Sequence, residues 1–100
     1  MEKDLLKIIE HFGVNNQQRK LQEEVFELQE AIMDYKYVEV YKNSPAEIYQ
    51  KEHIAEEIVD VMILLKQFFY YYQFDEDTML KIEENKINRT LERIESGYYE

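Results

Sequence analysis

Residues that break helices are scarce in this 100-residue chain, which contains only two glycines and one proline. Antiparallel sheets usually need such residues at their tight turns, and no segment shows the sustained alternation of apolar and polar residues that is typical of strands. Apolar residues instead recur every three or four positions, as they do in helices with one buried face. The sequence therefore predicts an all-α protein.

Capping signals divide the chain into four predicted helices within one domain, residues 1–100. The strongest signal is Ser44-Pro45-Ala46-Glu47, which combines a serine cap, a proline in the first turn and an acid three residues after the cap. Helix 1 is predicted from residue 2 to residue 12, before Gly13, and helix 2 from a cap at Asn15 or Asn16 to about residue 40. Helix 3 is predicted from Ser44 to about Tyr72, and helix 4 from Asp75 to Gly97.

Helices 2 and 3 each carry an apolar stripe, and the two stripes are expected to pack against each other. The stripe residues are Leu21, Val25, Leu28, Ile32 and Tyr35 in helix 2, and Ile54, Ile58, Val61, Leu65 and Phe68 in helix 3. The connection between the two helices is too short for a long crossover, so an antiparallel hairpin is expected.

A pair of acids flanks each stripe with the same geometry. At about 100° per residue, Glu24 and Glu27 fall about 60° and 120° to one side of the helix 2 stripe. Glu57 and Asp60 have the same offsets from the helix 3 stripe. In an antiparallel hairpin the two flanks meet on one side of the pair, and we expect the four carboxylates to converge.

Converging carboxylates disfavour one another's ionised forms unless a cation neutralises them. Mg²⁺, with Mn²⁺ as an alternative, is the expected partner because hard divalent cations favour oxygen ligands. A solvent-exposed acidic face is the simpler interpretation of any single Glu-x-x-Glu pair. Two pairs with matching flank and height favour the metal site.

Composition limits the classes of partner. A formal charge of −10 argues against binding to nucleic acid polymers, whose phosphates call for basic surfaces. The chain has no cysteine, so it has neither disulfides nor thiolate metal ligands. Its first residues are charged, and its most apolar run, residues 58–72, is too short for a membrane span. We expect a cytoplasmic protein.

The segment Lys20-Leu21-x-Glu23-Glu24-x-x-Glu27-Leu28, followed by Glu57-x-x-Asp60, resembles the signature of the MazG-like all-α nucleoside triphosphate pyrophosphohydrolase superfamily. That signature is E-E-x-x-E, a variable gap and E-x-x-D. The gap here is long for the family, and Phe26 stands where many relatives carry glycine.

The resemblance implies Mg²⁺-dependent cleavage of a nucleoside or deoxynucleoside triphosphate to the monophosphate and pyrophosphate. By position, Glu24, Glu27, Glu57 and Asp60 correspond to the metal ligands, the same four residues that the helical geometry selects. Glu23 corresponds to a residue that supports the ligands or orients the attacking water. The implied reaction is metal-assisted, in-line attack of water on the α-phosphorus.

Cations on helix 4 are candidates for binding the substrate phosphates, because a pyrophosphate leaving group needs positive charge from the protein. Lys86 and Arg89 lie one helical turn apart with Asn85 beside them, although ordinary solvent-exposed cations remain an alternative. His53 precedes Glu57 by one turn and is a candidate for a further metal ligand or a contact that supports one, although a histidine without a role is the simpler interpretation.

Helix 3 has apolar residues on nearly all sides, more than three partner helices in one chain can cover. The fold expectation is therefore an all-α, four-helix protomer built on an antiparallel hairpin that assembles through helix 3 into a homodimer or homotetramer. The alternative to an enzyme is a non-catalytic helical interaction module that keeps this fold and uses its acidic face to bind basic partners.

Overall fold

The computed structural model describes residues 1–97, which form four helices and no strand, as predicted. The last three residues of the predicted domain lie outside the described residues. The helices are α1 (Glu2–Phe12), α2 (Val14–Tyr35), α3 (Pro45–Tyr71) and α4 (Glu76–Glu95). Within residues 1–97, none of them combines the length and apolar character needed to cross a membrane.

Gly13 separates α1 from α2 in a backbone conformation that suits glycine, with a φ of 89°. Its N–H donates to the carbonyl of Ile9 and closes α1. The predicted asparagine cap of the next helix is wrong, because α2 begins at Val14 without a side-chain cap. Asn16 instead donates from Nδ2 to the carbonyl of Phe12 at 2.7 Å, so its side chain satisfies the end of α1.

The predicted helix 2 is about one turn too long. The helix ends at Tyr35, and the residues from there to Ser44 form successive turns. The other two caps are confirmed. Ser44 accepts a hydrogen bond from the N–H of Glu47 at the start of α3, and Asp75 accepts one from the N–H of Thr78 at the start of α4.

Two hydrogen bonds fix the antiparallel pairing of α2 with α3. The Nε2 of Gln17 donates to Oε1 of Gln67 at 2.8 Å near the open end of the hairpin. The hydroxyl of Tyr35 donates to Oε2 of Glu47 at 2.7 Å near the turn. Residue numbers rise along α2 as they fall along α3, which confirms the predicted hairpin. The helix α1 packs across both α2 and α3.

The surface along which α2 meets α3 differs from the predicted one. The buried residues of α2 are spaced seven apart, at Gln17, Glu24 and Ala31. Four of the predicted stripe residues are instead substantially exposed: Val25, Ile32, Ile58 and Leu65. The contact surface has thus rotated from the apolar stripes toward their acidic flanks. Each helix has more apolar surface than the hairpin uses, so the remainder stays available to another partner.

In the described part of the chain, α4 packs against none of the other helices. The Cα radius of gyration of 17.3 Å exceeds the roughly 13 Å expected of a compact 100-residue domain. The apolar residues of α4 are exposed, among them Met79, Ile82, Ile87, Leu91 and Ile94. One chain alone therefore leaves the apolar face of α4 in solvent.

Candidate metal centre

Three acidic side chains meet where the middle of α2 faces the middle of α3. Glu24, Glu57 and Asp60 each offer a carboxylate oxygen, and these oxygens all lie within 4.8 Å of one another. Glu24 is 6% exposed and Glu57 is 8% exposed, whereas Asp60 is exposed. Two buried acids and one accessible acid thus form a cluster that opens to solvent on one side.

Helical register explains why these acids lie between the helices. Glu24 lies seven residues after the buried Gln17 and seven before the buried Ala31. Glu57 likewise precedes the buried Leu64 by seven residues. A spacing of seven returns a side chain to the same face of a helix. The chain therefore directs both carboxylates at the facing helix.

Two carboxylate oxygens in this cluster are buried without a hydrogen-bond partner, namely Oε2 of Glu24 and Oε2 of Glu57. The other oxygen of Glu24, Oε1, lies 3.1 Å from Nζ of Lys20. Buried oxygens of this kind are costly unless a proton or cation compensates them. An all-oxygen donor set of carboxylates suits Mg²⁺ or Mn²⁺, so the residues present fit the expected ion.

Burial and neighbouring charge make the ionised cluster unfavourable on its own. Burial raises the pKa of Glu57 above its ordinary value, and the negative charges of Glu27, Glu24 and Asp60 raise that pKa further. The charge of Glu24 is the largest cause of a raised pKa at Glu27. Both pKa values are shifted in the direction expected when carboxylates crowd together without enough nearby positive charge to offset them.

Glu27 borders the cluster without belonging to the group of three. It is exposed, yet its charge acts on Glu57, which places it close to the convergent oxygens. His53 is half-buried and its ring stacks on that of Tyr49, with the ring centroids 6.3 Å apart. The structure does not bring His53 into the group.

A cavity of about 680 Å³ adjoins the cluster, within the size range of small-molecule sites. It lies among α1, α2 and α3, and Glu24 and Asp60 form part of its wall. Glu23 also lines it. The remaining lining residues are Phe12, Asn16, Gln17, Arg19, Lys20, Ile63, Leu64 and Gln67. A ligand in this cavity would contact carboxylates, two cations and three amides.

The candidate phosphate-binding residues of α4 lie elsewhere in the single chain. Asn85, Lys86 and Arg89 line a shallow groove on α4 itself, together with Ile82. Because α4 does not pack against α2 or α3, the described chain does not bring these three residues to the carboxylates. Their role in binding phosphate stays a prediction.

Sequence reasoning missed the two buried glutamines and the two cations of the cavity. The spacing of Gln17, Glu24 and Ala31 was the available signal, because a seven-residue repeat marks one face of a helix whatever the polarity of its residues. The prediction followed the apolar stripe of helix 2 instead of this seven-residue spacing. Arg19 and Lys20 follow Gln17 by two and three residues, and both line the same cavity.

Comparisons with known proteins leave the family resemblance resting on the ordered acidic motif and this geometry. No protein-family model matches the chain, and neither a curated protein nor a solved structure matches it.

Proposed function

We propose that this protein is a MazG-like pyrophosphohydrolase that cleaves nucleoside or deoxynucleoside triphosphates in the presence of Mg²⁺ or Mn²⁺. The observation that carries the proposal is the pair of buried, unpartnered oxygens of Glu24 and Glu57, which lie beside Asp60. Two of these three acids, Glu24 and Asp60, line a ligand-sized cavity. The products would be a nucleoside monophosphate and pyrophosphate.

In this proposal Glu24, Glu57 and Asp60 hold the divalent cation, and Glu27 at the border of the cluster completes the ligand set. A bound cation would polarise the phosphoryl oxygens and lower the pKa of bound water. It would also supply the positive charge that the unpartnered carboxylate oxygens lack. The side of the cluster formed by the exposed Asp60 leaves room for substrate phosphates.

The side chains around the cluster have separate tasks. In the proposed reaction, the oxygen of a water molecule bonds to the α-phosphorus. The bond between the α-phosphorus and the oxygen that bridges it to the β-phosphorus breaks, and pyrophosphate leaves. Glu23 lines the cavity beside Glu24 and is placed to orient that water by accepting its hydrogen bond. Lys20 and Arg19 line the same cavity and offer positive charge to the pyrophosphate group.

Asn85, Lys86 and Arg89 remain proposed phosphate ligands on α4. They would reach the carboxylates only if α4 packs against another copy of the chain or changes its position. The exposed apolar faces of α3 and α4 support assembly into a homodimer or homotetramer, because contiguous apolar surface of this extent usually marks an interface. The proposed setting is the cytoplasm, with no role for nucleic acid polymers or membranes.

The direct test is a panel of canonical and modified triphosphates incubated with the purified protein and Mg²⁺, with release of pyrophosphate as the measurement. Glu24→Gln, Glu57→Gln and Asp60→Asn should each lower the rate by more than about 100-fold, since loss of residues that merely support metal ligands costs about 10- to 100-fold. Helical circular dichroism reports whether each variant folds.

Glu30→Gln is the matched control, because Glu30 is an exposed acid on α2 outside both the cluster and the cavity. It should keep the full rate. If the wild-type protein releases no pyrophosphate from any triphosphate, or if the three cluster variants keep the rate of the control, the proposed function is wrong.

A non-catalytic interaction module that keeps this fold and binds basic partners through its acidic face is the second candidate, and the exposed apolar face of α4 offers it a further binding surface. Such a module would have no use for buried, unpartnered carboxylates. Because Glu57 is buried and not part of the exposed acidic face, the module would bind a basic partner equally well with Glu57→Gln and would show no dependence on divalent cations.

A further inference from the structure

The cavity beside the acidic cluster has a second polar feature at its other end, the amide pair of Gln17 and Gln67. Both side chains are more than nine-tenths buried, at 8% and 2% exposure. Nε2 of Gln17 donates to Oε1 of Gln67 at 2.8 Å. Within the described residues, Oε1 of Gln17 and Nε2 of Gln67 have no hydrogen bond to the protein. The pair therefore offers the cavity one acceptor and one donor.

Aromatic and apolar surface lies next to this amide pair. The ring of Phe12, at the end of α1, is 54% exposed and lines the same cavity. Ile63 and the buried Leu64 complete an apolar wall from α3. A flat ligand could thus stack on an aromatic face while its edge meets an acceptor and a donor.

The separation between the amide pair and the acids also suits one class of ligand. Gln17 precedes Glu24 by seven residues on α2, and Gln67 follows Asp60 by seven residues on α3. At 1.5 Å per residue, the two groups lie about 10 Å apart along the hairpin. This distance is comparable with the extent of a nucleotide from its α-phosphate across the sugar to the far edge of its base.

We propose that Gln17, Gln67 and Phe12 form the nucleobase subsite of the cavity, with the amides hydrogen-bonded to the edge of the base and Phe12 stacked on its face. The identification of the ligand as a nucleotide rests on the proposed function. The subsite adds the prediction that these residues determine which bases are accepted. Hydrogen-bonding groups of this kind reject ligands that leave them unpaired.

A purely structural role for the amide pair makes different predictions. A buried polar pair can fix the register of two helices without contacting any ligand. In that case Gln67→Met would change the stability of the protein and affect all substrates alike. A role in recognition would change the order of preference among bases.

The first measurement is KM and kcat for the nucleoside triphosphates of adenine, guanine, cytosine and uracil, with Mg²⁺ present. Phe12→Ala should raise KM about tenfold or more with little change in kcat, because stacking is a binding interaction made equally in the ground and transition states. Gln67→Met should change the ratio of kcat/KM between bases. The controls are Phe26→Ala and Gln29→Met, which alter exposed residues outside the cavity and should match the wild type.

The second measurement needs neither catalysis nor a variant. Adenosine, guanosine, cytidine and uridine, which have no phosphate, are added at millimolar concentration to the metal-free wild-type protein. At least one of them should shift the side-chain amide resonances of Gln17 and Gln67 in ¹⁵N–¹H correlation spectra. The side-chain amide of Gln29 should not move.

The outcomes separate this inference from the proposed function. If the wild type hydrolyses triphosphates but Phe12→Ala and Gln67→Met leave KM and base preference unchanged, the subsite is wrong and the function stands. If nucleosides shift the two amides but no triphosphate is cleaved, the subsite stands and the function is wrong. If no nucleoside shifts the amides of Gln17 and Gln67, the subsite is likewise rejected.

Discussion

Nζ of Lys20 lies 3.1 Å from Oε1 of Glu24, while the second oxygen of that carboxylate is buried without a partner. Lys20 thus compensates only part of the negative charge that α2 and α3 bring together. Glu24 raises the pKa of Lys20 through the hydrogen bond and the charge attraction between them, which keeps the ammonium group protonated. Within the described residues, Oε2 of Glu24 and Oε2 of Glu57 are left without a compensating partner.

Lys20→Met separates metal binding from substrate binding. Removing the ammonium group makes the cluster more negative, so the affinity for Mn²⁺ should be unchanged or higher, as measured by titration calorimetry. The KM for triphosphates should rise about tenfold, because the variant loses a cation that lines the cavity and that we propose binds the phosphates. Weaker binding of Mn²⁺ in this variant would contradict the assignment of Glu24 as a metal ligand.

The metal-free protein should lose stability as the pH rises through the raised pKa of Glu57. Between the ordinary carboxyl value of 4.5 and that raised pKa, the folded chain holds more protons than the unfolded chain. The free energy of unfolding therefore falls with rising pH over this window, and it stays lower above it. Glu57→Gln removes the contribution of Glu57 to this dependence, whereas the raised pKa of Glu27 contributes with the same sign in both proteins.

The measurement is the melting temperature in EDTA from pH 4.5 to 7.5, taken as the difference between Glu57→Gln and the wild type. As the pH rises, the melting temperature of the variant should exceed that of the wild type by a growing amount. Mg²⁺ at pH 7.5 should reduce this difference by stabilising the wild type. The subtraction is needed because Glu47 and Asp75 have lowered pKa values and lose their stabilising effect as the pH falls. A difference that does not change with pH would contradict the burial of an ionised Glu57.

The turn of the hairpin depends on a hydrogen bond that closes it. Glu47 is 5% exposed and accepts from the hydroxyl of Tyr35 and from the N–H of Asn43, and these bonds lower its pKa. Tyr35→Phe removes one donor from a buried carboxylate and should lower the melting temperature by about 5 to 15 °C. The matched control is Tyr37→Phe, at an 80% exposed position, which should melt like the wild type.

Assembly can be tested independently of activity. The molar mass from light scattering should be two or four times 12.3 kDa, because a single chain leaves the apolar faces of α3 and α4 exposed. Leu65→Lys, at a 51% exposed position on α3, should shift the mass toward one chain. A wild-type protein that is monomeric at micromolar concentration would contradict the expected interface.

Local capping signals predicted the helices with few errors. Ser44 and Asp75 are caps because their side-chain oxygens accept from N–H groups in the first turn, and such bonds depend on neighbours in sequence. Asn16 misled the same reasoning, since its amide can satisfy either a carbonyl before it or an N–H after it. The structure shows the first of these.

The faces along which α2 and α3 pack together could not be predicted from the apolar pattern. Val25 and Ile58 belong to stripes wide enough to face either the other helix or a second partner, and one chain does not reveal which. The convergence of Glu24 with Glu57 and Asp60 was nevertheless predictable, because it depends on register along an antiparallel hairpin. The position of α4 gave no such signal, because within residues 1–97 this helix packs against none of the others.

The most direct test of the metal centre is a crystal of the protein soaked in Mn²⁺ and measured at a wavelength where manganese scatters anomalously. We predict an anomalous peak between Glu24, Glu57 and Asp60, with carboxylate oxygens about 2.2 Å from it. A map with no peak among these three side chains, from a crystal in which the cluster is accessible to solvent, would contradict the central claim.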